Sequence, residues 1–140
     1  VLYLDTSALL PYYRQEAHSD AIQQLLQRQS SPILISDLTR LEFASALSRW
    51  VRMREIEESH AQRLGRALDE DIKARRYTVR HNTDEHIELA RHWLLARNTS
   101  LRTLDALHLA CAAAENATLV TLDDALGFAA TQLGIKTHEL

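Results

Sequence analysis

Four carboxylates stand where a solvated surface would not put them. Asp5 and Asp123 each close an apolar run, Val1-Leu2-Tyr3-Leu4 and Thr118-Leu119-Val120-Thr121-Leu122. Glu42 interrupts Leu38-Thr39-Arg40-Leu41-Glu42-Phe43-Ala44-Ser45-Ala46-Leu47, a run otherwise suited to helix packing. Asp105 does the same in Leu101-Arg102-Thr103-Leu104-Asp105-Ala106-Leu107-His108-Leu109-Ala110. Any one of these acids alone is more ordinarily a helix cap or a satisfied buried group. Together they raise one another's pKa unless something positive resolves them. No lysine is near these motifs, and Arg40 or Arg102 alone would not balance four acids. Hard oxygen donors with open water positions suit Mg²⁺ or Mn²⁺. A cation so held activates water and neutralises charge growing on a phosphodiester, which suffices for hydrolysis.

The elements must bring these acids together. Val1-Leu2-Tyr3-Leu4 and Ile33-Leu34-Ile35-Ser36 lack alternation, as expected of strands buried on both faces of a parallel sheet. Tyr77 to Arg80, Thr118 to Leu122 and Ile135 to His138 are the other expected strands. Helices are expected over Ala8 to Arg14, His18 to Gln29, Asp37 to Arg52, Glu57 to Arg75, Asp84 to Arg97, Thr103 to Glu115 and Asp124 to Leu133. Ser36 or Asp37, and Asn82 or Thr83, are the caps, and Gly134 is a helix stop. This succession predicts an α/β fold, a parallel sheet wrapped by helices through right-handed crossovers. Ligands in such sheets bind at the strand carboxyl ends. If the first and fourth strands are neighbours, Asp5 and Asp123 lie roughly 5 Å apart, the ordinary interstrand spacing. Asp105 falls in the first turn of its helix, where partial positive charge favours an anion.

At 140 residues, with 46% hydrophobic content and only three glycines, the chain is long enough to bury a core and too apolar to be disordered. No linker, repeat or low-complexity tract divides it, so one domain over 1–140 is expected. A lone cysteine, Cys111, excludes an internal disulfide. No signal-peptide pattern and no bilayer-length apolar stretch is visible, so no membrane association and a cytoplasmic location are expected. The net charge of −3 hides a patch: nine of the sixteen basic residues lie between Arg49 and Arg80, against six acids. Such a region is either a helix surface laced with i,i+4 ion pairs or a path for a polyanion.

Other conspicuous residues carry less. Gly134-Ile135-Lys136-Thr137 has the wrong spacing for a phosphate-binding loop. His86 and His92 are six apart on one helix, on different faces, which disfavours zinc at His81, His86 and His92. His108 lies on the apolar side of its helix and reads as a hydrogen-bonded core residue rather than a general base. Cys111 has no activating partner and reads as core filler. Tyr12 and Tyr13 follow the Asp5 strand and offer, at most, stacking for a base.

The motifs as an ordered set resemble a known family. Leu4-Asp5-Thr6-Ser7-Ala8, Leu41-Glu42, Thr103-Leu104-Asp105-Ala106-Leu107-His108-Leu109-Ala110 and Val120-Thr121-Leu122-Asp123 are similar to the acidic motifs of PIN domains. The length and the closing Ala129-Ala130-Thr131-Gln132-Leu133-Gly134-Ile135 resemble VapC-type toxin ribonucleases. The resemblance implies a three-layer α/β/α fold with five parallel strands in the order 3-2-1-4-5. It also implies a Mg²⁺-dependent endoribonuclease of a type II toxin–antitoxin system, Mn²⁺ being a possible substitute. An RNA substrate, a homodimer and a cognate VapB-like antitoxin follow from the same likeness. By position, Asp5, Glu42, Asp105 and Asp123 match the catalytic acids, and Asp5, Asp105 and Asp123 those that hold metal. Glu42 completes the site or orients water, while Ser7 and Thr121 support the ligands from behind. A one-residue slip would make Asp124 the ligand and Asp123 a helix cap.

Two other functions compete. A PIN fold can serve as a catalytically inactive RNA- or protein-binding module, although such a module has no reason to keep four unresolved acids. A phosphoacceptor domain would show aspartates two apart at the first strand, where this chain has Ser7, or an acidic pair there with an acceptor at the third strand.

Overall fold

The computed structural model describes residues 1–140. The elements run β1 (Leu2–Leu4), α1 (Thr6–Tyr13), α2 (Ser19–Arg28), β2 (Ile33–Ser36), α3 (Asp37–Arg52) and α4 (Glu58–Lys73). They continue through β3 (Thr78–Arg80), α5 (Asp84–Ala96), α6 (Thr103–Ala114), β4 (Thr118–Val120), α7 (Asp124–Gln132) and β5 (Thr137–His138). The five strands form one sheet in the order β3-β2-β1-β4-β5, every pairing parallel. β1 is therefore central, flanked by β2 and β4.

Because side chains alternate along a strand, the sheet feeds two cores. Leu2, Leu4, Ile33, Ile35 and Val120 pack with Leu9, Ile22, Phe43 and Leu64 from α1 to α4. Tyr3, Leu34 and Leu119 pack on the opposite face with Leu109 and Cys111 of α6 and Leu126 and Ala129 of α7. Ala90 of α5 meets Ala106 and Ala110 of α6, small residues that allow those two helices to approach closely. Helices on both faces of a parallel sheet give the expected three layers. No helix is long and apolar enough to cross a membrane.

Four strands are shorter than the residues predict, β1 and β3 by their first residues, Val1 and Tyr77, and β4 and β5 by two residues each. β4 stops at Val120, and Thr121, the next residue, places its hydroxyl on Asp5. Gly134 takes a φ of 77° and turns the chain out of α7, so Ile135 packs beside the second core and β5 begins only at Thr137. α1 begins earlier than expected, directly after Asp5.

The acids inherit their positions from this topology. α1, α3 and α7 follow β1, β2 and β4, so they start at the carboxyl edge of the sheet. α6 leads into β4 and must also start at that edge. The N-termini of these four helices, with their partial positive charge, thus lie on one rim, and α5, which follows the parallel strand β3, starts at the same edge.

Candidate functional site

Asp5 ends β1 and caps α1 with no intervening loop. Its main-chain amide still donates to Val120 O, while its side chain has turned to the helix. Oδ1 accepts from the Ala8 amide at 3.0 Å and from Ser7 Oγ at 2.7 Å. Oδ2 accepts from Thr121 Oγ1 at 2.6 Å. The residue is 4% exposed and has no guanidinium or ammonium partner. Burial pushes its pKa above the usual carboxylate value, against the hydroxyls of Thr121 and Ser7, the charge of His108 and the Ala8 amide.

Ser7 and Thr121, expected behind the ligands, both touch Asp5 directly. They also tie the strand ends together: Ser7 Oγ accepts from the Leu122 amide at 2.9 Å, and Thr121 Oγ1 from the Asp123 amide at 3.0 Å.

Glu42 lies in the second turn of α3, beside the buried stripe of Thr39, Phe43, Ala46 and Leu47. Its Oε1 accepts two short bonds, from Thr6 Oγ1 and from His108 Nε2, both at 2.6 Å. Partial burial disfavours its charge, but the bonds from His108 and Thr6 and the charge of His108 outweigh that and hold its pKa below the usual value. Thr6, the residue after Asp5 in the chain, thus brings Glu42 to the β1 end, while Asp5 itself bonds to a separate set, Ser7, Ala8 and Thr121.

Asp105 is the third residue of α6 and folds back to its start. Oδ2 accepts from the Arg102 amide at 3.3 Å, and the Arg102 guanidinium stands 3.5 Å away but is 84% exposed. Such an exposed pair screens little of the acid's charge.

Asp123 is not a strand-end neighbour of Asp5. Leu4 pairs with Val120, so Thr121 stands opposite Asp5, and Asp123 lies two residues further along. The apolar Leu122 prolongs the sequence pattern past the true strand end. Asp123 instead caps α7, Oδ1 accepting from the Leu126 amide at 3.1 Å, and Asp124 is the first residue of that helix. The cap engages one oxygen of Asp123 and does not decide between Asp123 and Asp124 as a ligand.

The donor set suits a hard divalent cation in kind. Oε2 of Glu42, Oδ1 of Asp105 and Oδ2 of Asp123 receive no protein donor, while Asp5 is buried without a cationic partner. No three His, Cys, Asp or Glu side chains are gathered closely enough to cage a metal by themselves. Mg²⁺ does not require such a cage, since one or two carboxylates with waters and substrate phosphate complete its shell.

Two grooves meet at this rim. One of about 470 Å³ is lined by Thr121, Leu122, Asp123, Asp124, Phe128 and His138. The other, of about 320 Å³, is lined by Ser7, Leu10, Arg14, Trp50 and Leu122. Leu122 belongs to both. Arg14 lies 4.4 Å over the Trp50 ring and pairs with Glu55 at 3.1 Å, joining the end of α1 to the region after α3. Of the nine basic residues from Arg49 to Arg80, only Arg76 and Arg80 pair with an acid. The i,i+4 lacing that would make this an ordinary solvated helix face is not there.

The remaining residues find structural roles. His86 Nδ1 accepts the Thr83 amide in a capping box, and His81 faces Asp37 at 3.4 Å. Tyr13 donates to Asp71 and accepts from the Tyr77 hydroxyl, and its ring packs against Tyr12 and Phe43, while Tyr12 lies beneath Arg76. Cys111 is buried, and burial pushes its thiol up to about 11, an inert core residue. Tyr3 and Thr6 do not stand out in the sequence. Each is a single polar atom at the margin of an apolar run, a pattern with no periodic signal.

Fold and rim together define an α/β domain whose acids line the carboxyl edge of a parallel sheet. The chain belongs to the PIN domain family, matched over residues 2–131. No curated protein sequence matches it. Among solved structures it is similar to Mycobacterium tuberculosis VapC20, a sarcin–ricin-loop-cleaving toxin, at 17% identity and TM-score 0.72, over 92% of this chain and 95% of that one. It is similar to FitAcB from Neisseria gonorrhoeae at 15% identity and TM-score 0.75, over 99% and 97% of the two chains. DNA-bound VapBC from Salmonella typhimurium gives 16% identity and TM-score 0.73, over 98% and 96%. At these identities the likeness speaks for the fold.

Proposed function

We propose that this protein is a divalent-metal-dependent endoribonuclease acting as the toxin of a type II toxin–antitoxin pair. The observation that carries this reading is Asp5: a 4%-exposed carboxylate at the centre of the sheet edge, held only by hydroxyls and an amide. A carboxylate so placed is costly unless paired, and a cation shared with Asp105 and Asp123 relieves that cost. VapC-type folds among the similar structures support the ribonuclease class, and the VapBC complexes support a protein antitoxin partner.

When bound, Mg²⁺, or Mn²⁺ in its place, supplies water activation and charge neutralisation at the phosphodiester. Asp5, Asp105 and Asp123 would hold it, with Asp124 as the alternate to Asp123. Ser7 and Thr121 keep Asp5 in one orientation. Glu42 positions the attacking water with its uncommitted oxygen. Water then forms a bond to phosphorus in line as the bond to the 3′ oxygen breaks, leaving a 5′-phosphate and a 3′-hydroxyl. The unpaired arginines between Arg49 and Arg75 draw the RNA backbone toward the grooves, or receive an antitoxin competing for them. A homodimer in the cytoplasm completes the proposal.

A non-catalytic RNA- or protein-binding module is the second reading, favoured by the absence of a three-residue metal cage. Purified protein cleaving a structured RNA with Mg²⁺, and losing cleavage with EDTA or in Asp5→Ala, supports the nuclease. Undiminished cleavage by Asp5→Ala, or none by the wild type with either cation, removes it.

A further inference from the structure

We propose that His108 is a positioning residue for Glu42, with Tyr3 behind it, so that one buried imidazole fixes the acid that faces substrate. The significance of that acid rests on the nuclease reading, but the positioning itself is a property of the free protein.

The His108 side chain is 4% exposed, and both of its ring nitrogens are engaged by side chains. Nε2 lies 2.6 Å from Glu42 Oε1, and Nδ1 lies 2.7 Å from the Tyr3 hydroxyl. The Tyr3 ring meets the imidazole edge-on, with centroids 5.8 Å apart. Behind Tyr3, its hydroxyl reaches Ser36 Oγ at 3.0 Å, and Ser36 is locked by the Thr39 capping box at the start of α3. Each link comes from a different element: the β2 end, β1, α6 and α3. The series starts on groups with no exposure and ends on a carboxylate that is 27% exposed.

This arrangement is more than satisfaction of a core histidine. Glu42 belongs to the α3 layer and His108 to the α6 layer, so their bond crosses the carboxyl edge of the sheet. A buried imidazole–carboxylate pair is weak evidence for stability, since apolar replacements are often neutral or better. What the pair does supply is one orientation. The terminal torsion of a glutamate is broad and nearly two-fold. Two 2.6 Å bonds on the same oxygen, from Thr6 and His108, remove that freedom and leave Oε2 as the only oxygen without a protein donor.

Proton placement does not alter this geometry. An ionised Glu42 can only accept, so Nε2 carries a proton. Nδ1 then either accepts from Tyr3, or donates to it while Tyr3 donates to Ser36. Burial drives the Tyr3 phenol far above its ordinary range, so it stays protonated in the folded protein. In both arrangements the Nε2–H remains on Glu42.

Two measurements test the proposal. Imidazole ¹⁵N NMR of the metal-free protein should show His108 with a proton on Nε2 that is protected from exchange and shifts in Glu42→Gln. An Nε2 without a proton, or one indifferent to Glu42→Gln, overturns the inference whether or not the protein cleaves RNA. In cleavage assays His108→Leu should lower kcat by about 10–100-fold with KM little changed. His108→Gln restores a side-chain N–H donor and should recover most of that loss. Undiminished kcat in folded His108→Leu, or no recovery in folded His108→Gln, overturns it. If the wild type cleaves nothing while the Glu42-dependent NMR signal is present, the nuclease reading fails and the positioning inference stands.

Discussion

Thr121 Oγ1 donates to Asp5 Oδ2 across 2.6 Å, from the position directly opposite Asp5 in the β1–β4 pairing. The residue that ends one strand is thus held by the residue that ends its neighbour. This bond, with those from Ser7 and the Ala8 amide to the other oxygen, holds the buried acid in a single orientation.

Thr121→Val removes the only donor to Asp5 Oδ2 while keeping the side-chain volume. We expect a loss of about 1–3 kcal/mol, the cost of leaving a buried acceptor unsatisfied, with Thr121→Ser close to wild type. Urea denaturation at neutral pH without divalent cation measures it, and equal stability of all three proteins would contradict the account.

Asp5→Asn should be more stable than wild type at neutral pH in the absence of metal, although inactive. Burial raises the Asp5 pKa, so its favourable contribution is complete below the unfolded value and disappears as pH rises through the folded value. The difference in Tm should therefore open on going from about pH 4 to neutrality. A constant difference across that range would show that the charge is not the source.

Glu42 has the opposite sign. Its pKa is lowered on balance, so its contribution is present above the usual carboxylate value and lost as pH falls through the folded value. Glu42→Gln should cost about 1–3 kcal/mol at neutral pH and less than that in acid. Thermal melts of both proteins against pH follow the difference directly, and a penalty that grows in acid would contradict the account.

RNA binding by the inactive Asp5→Ala protein should weaken linearly in log–log plots against salt. Replacing Arg49, Arg52 and Arg54 by serine should reduce that slope by up to about 0.9 for each phosphate that is no longer neutralised. An unchanged slope would place the RNA elsewhere on the surface.

Much of the framework is legible in the residues. The uninterrupted Leu2-Tyr3-Leu4 and Ile33-Leu34-Ile35 runs point to a parallel sheet because only strands covered on both faces tolerate them. Residues alone leave the strand order open, and 3-2-1-4-5 enters with the family resemblance. Asp5 and Glu42 stand out as charges breaking apolar patterns, and the structure places both at the β1 end, Glu42 through its bond from Thr6, the residue after Asp5. The expected strand-end adjacency of Asp5 and Asp123 does not hold in the register, because Leu122 extends the apolar pattern past Val120, where β4 ends. Thr6 and Tyr3 escape a reading of the sequence, and His108 reads there only as a satisfied core residue. Their partners lie 33 to 105 positions away in the chain, and no local spacing encodes such a meeting.

The central claim is that Asp5 and its neighbouring acids share a divalent cation. Mn²⁺ titration of the RNA-free protein, followed by electron paramagnetic resonance, tests it most directly. We expect saturable binding by the wild type, weakened about 10–100-fold in Asp5→Asn and in Asp105→Asn, changes typical of altered metal sites. Absence of binding by the wild type, or equal affinity in all three proteins, would contradict the account.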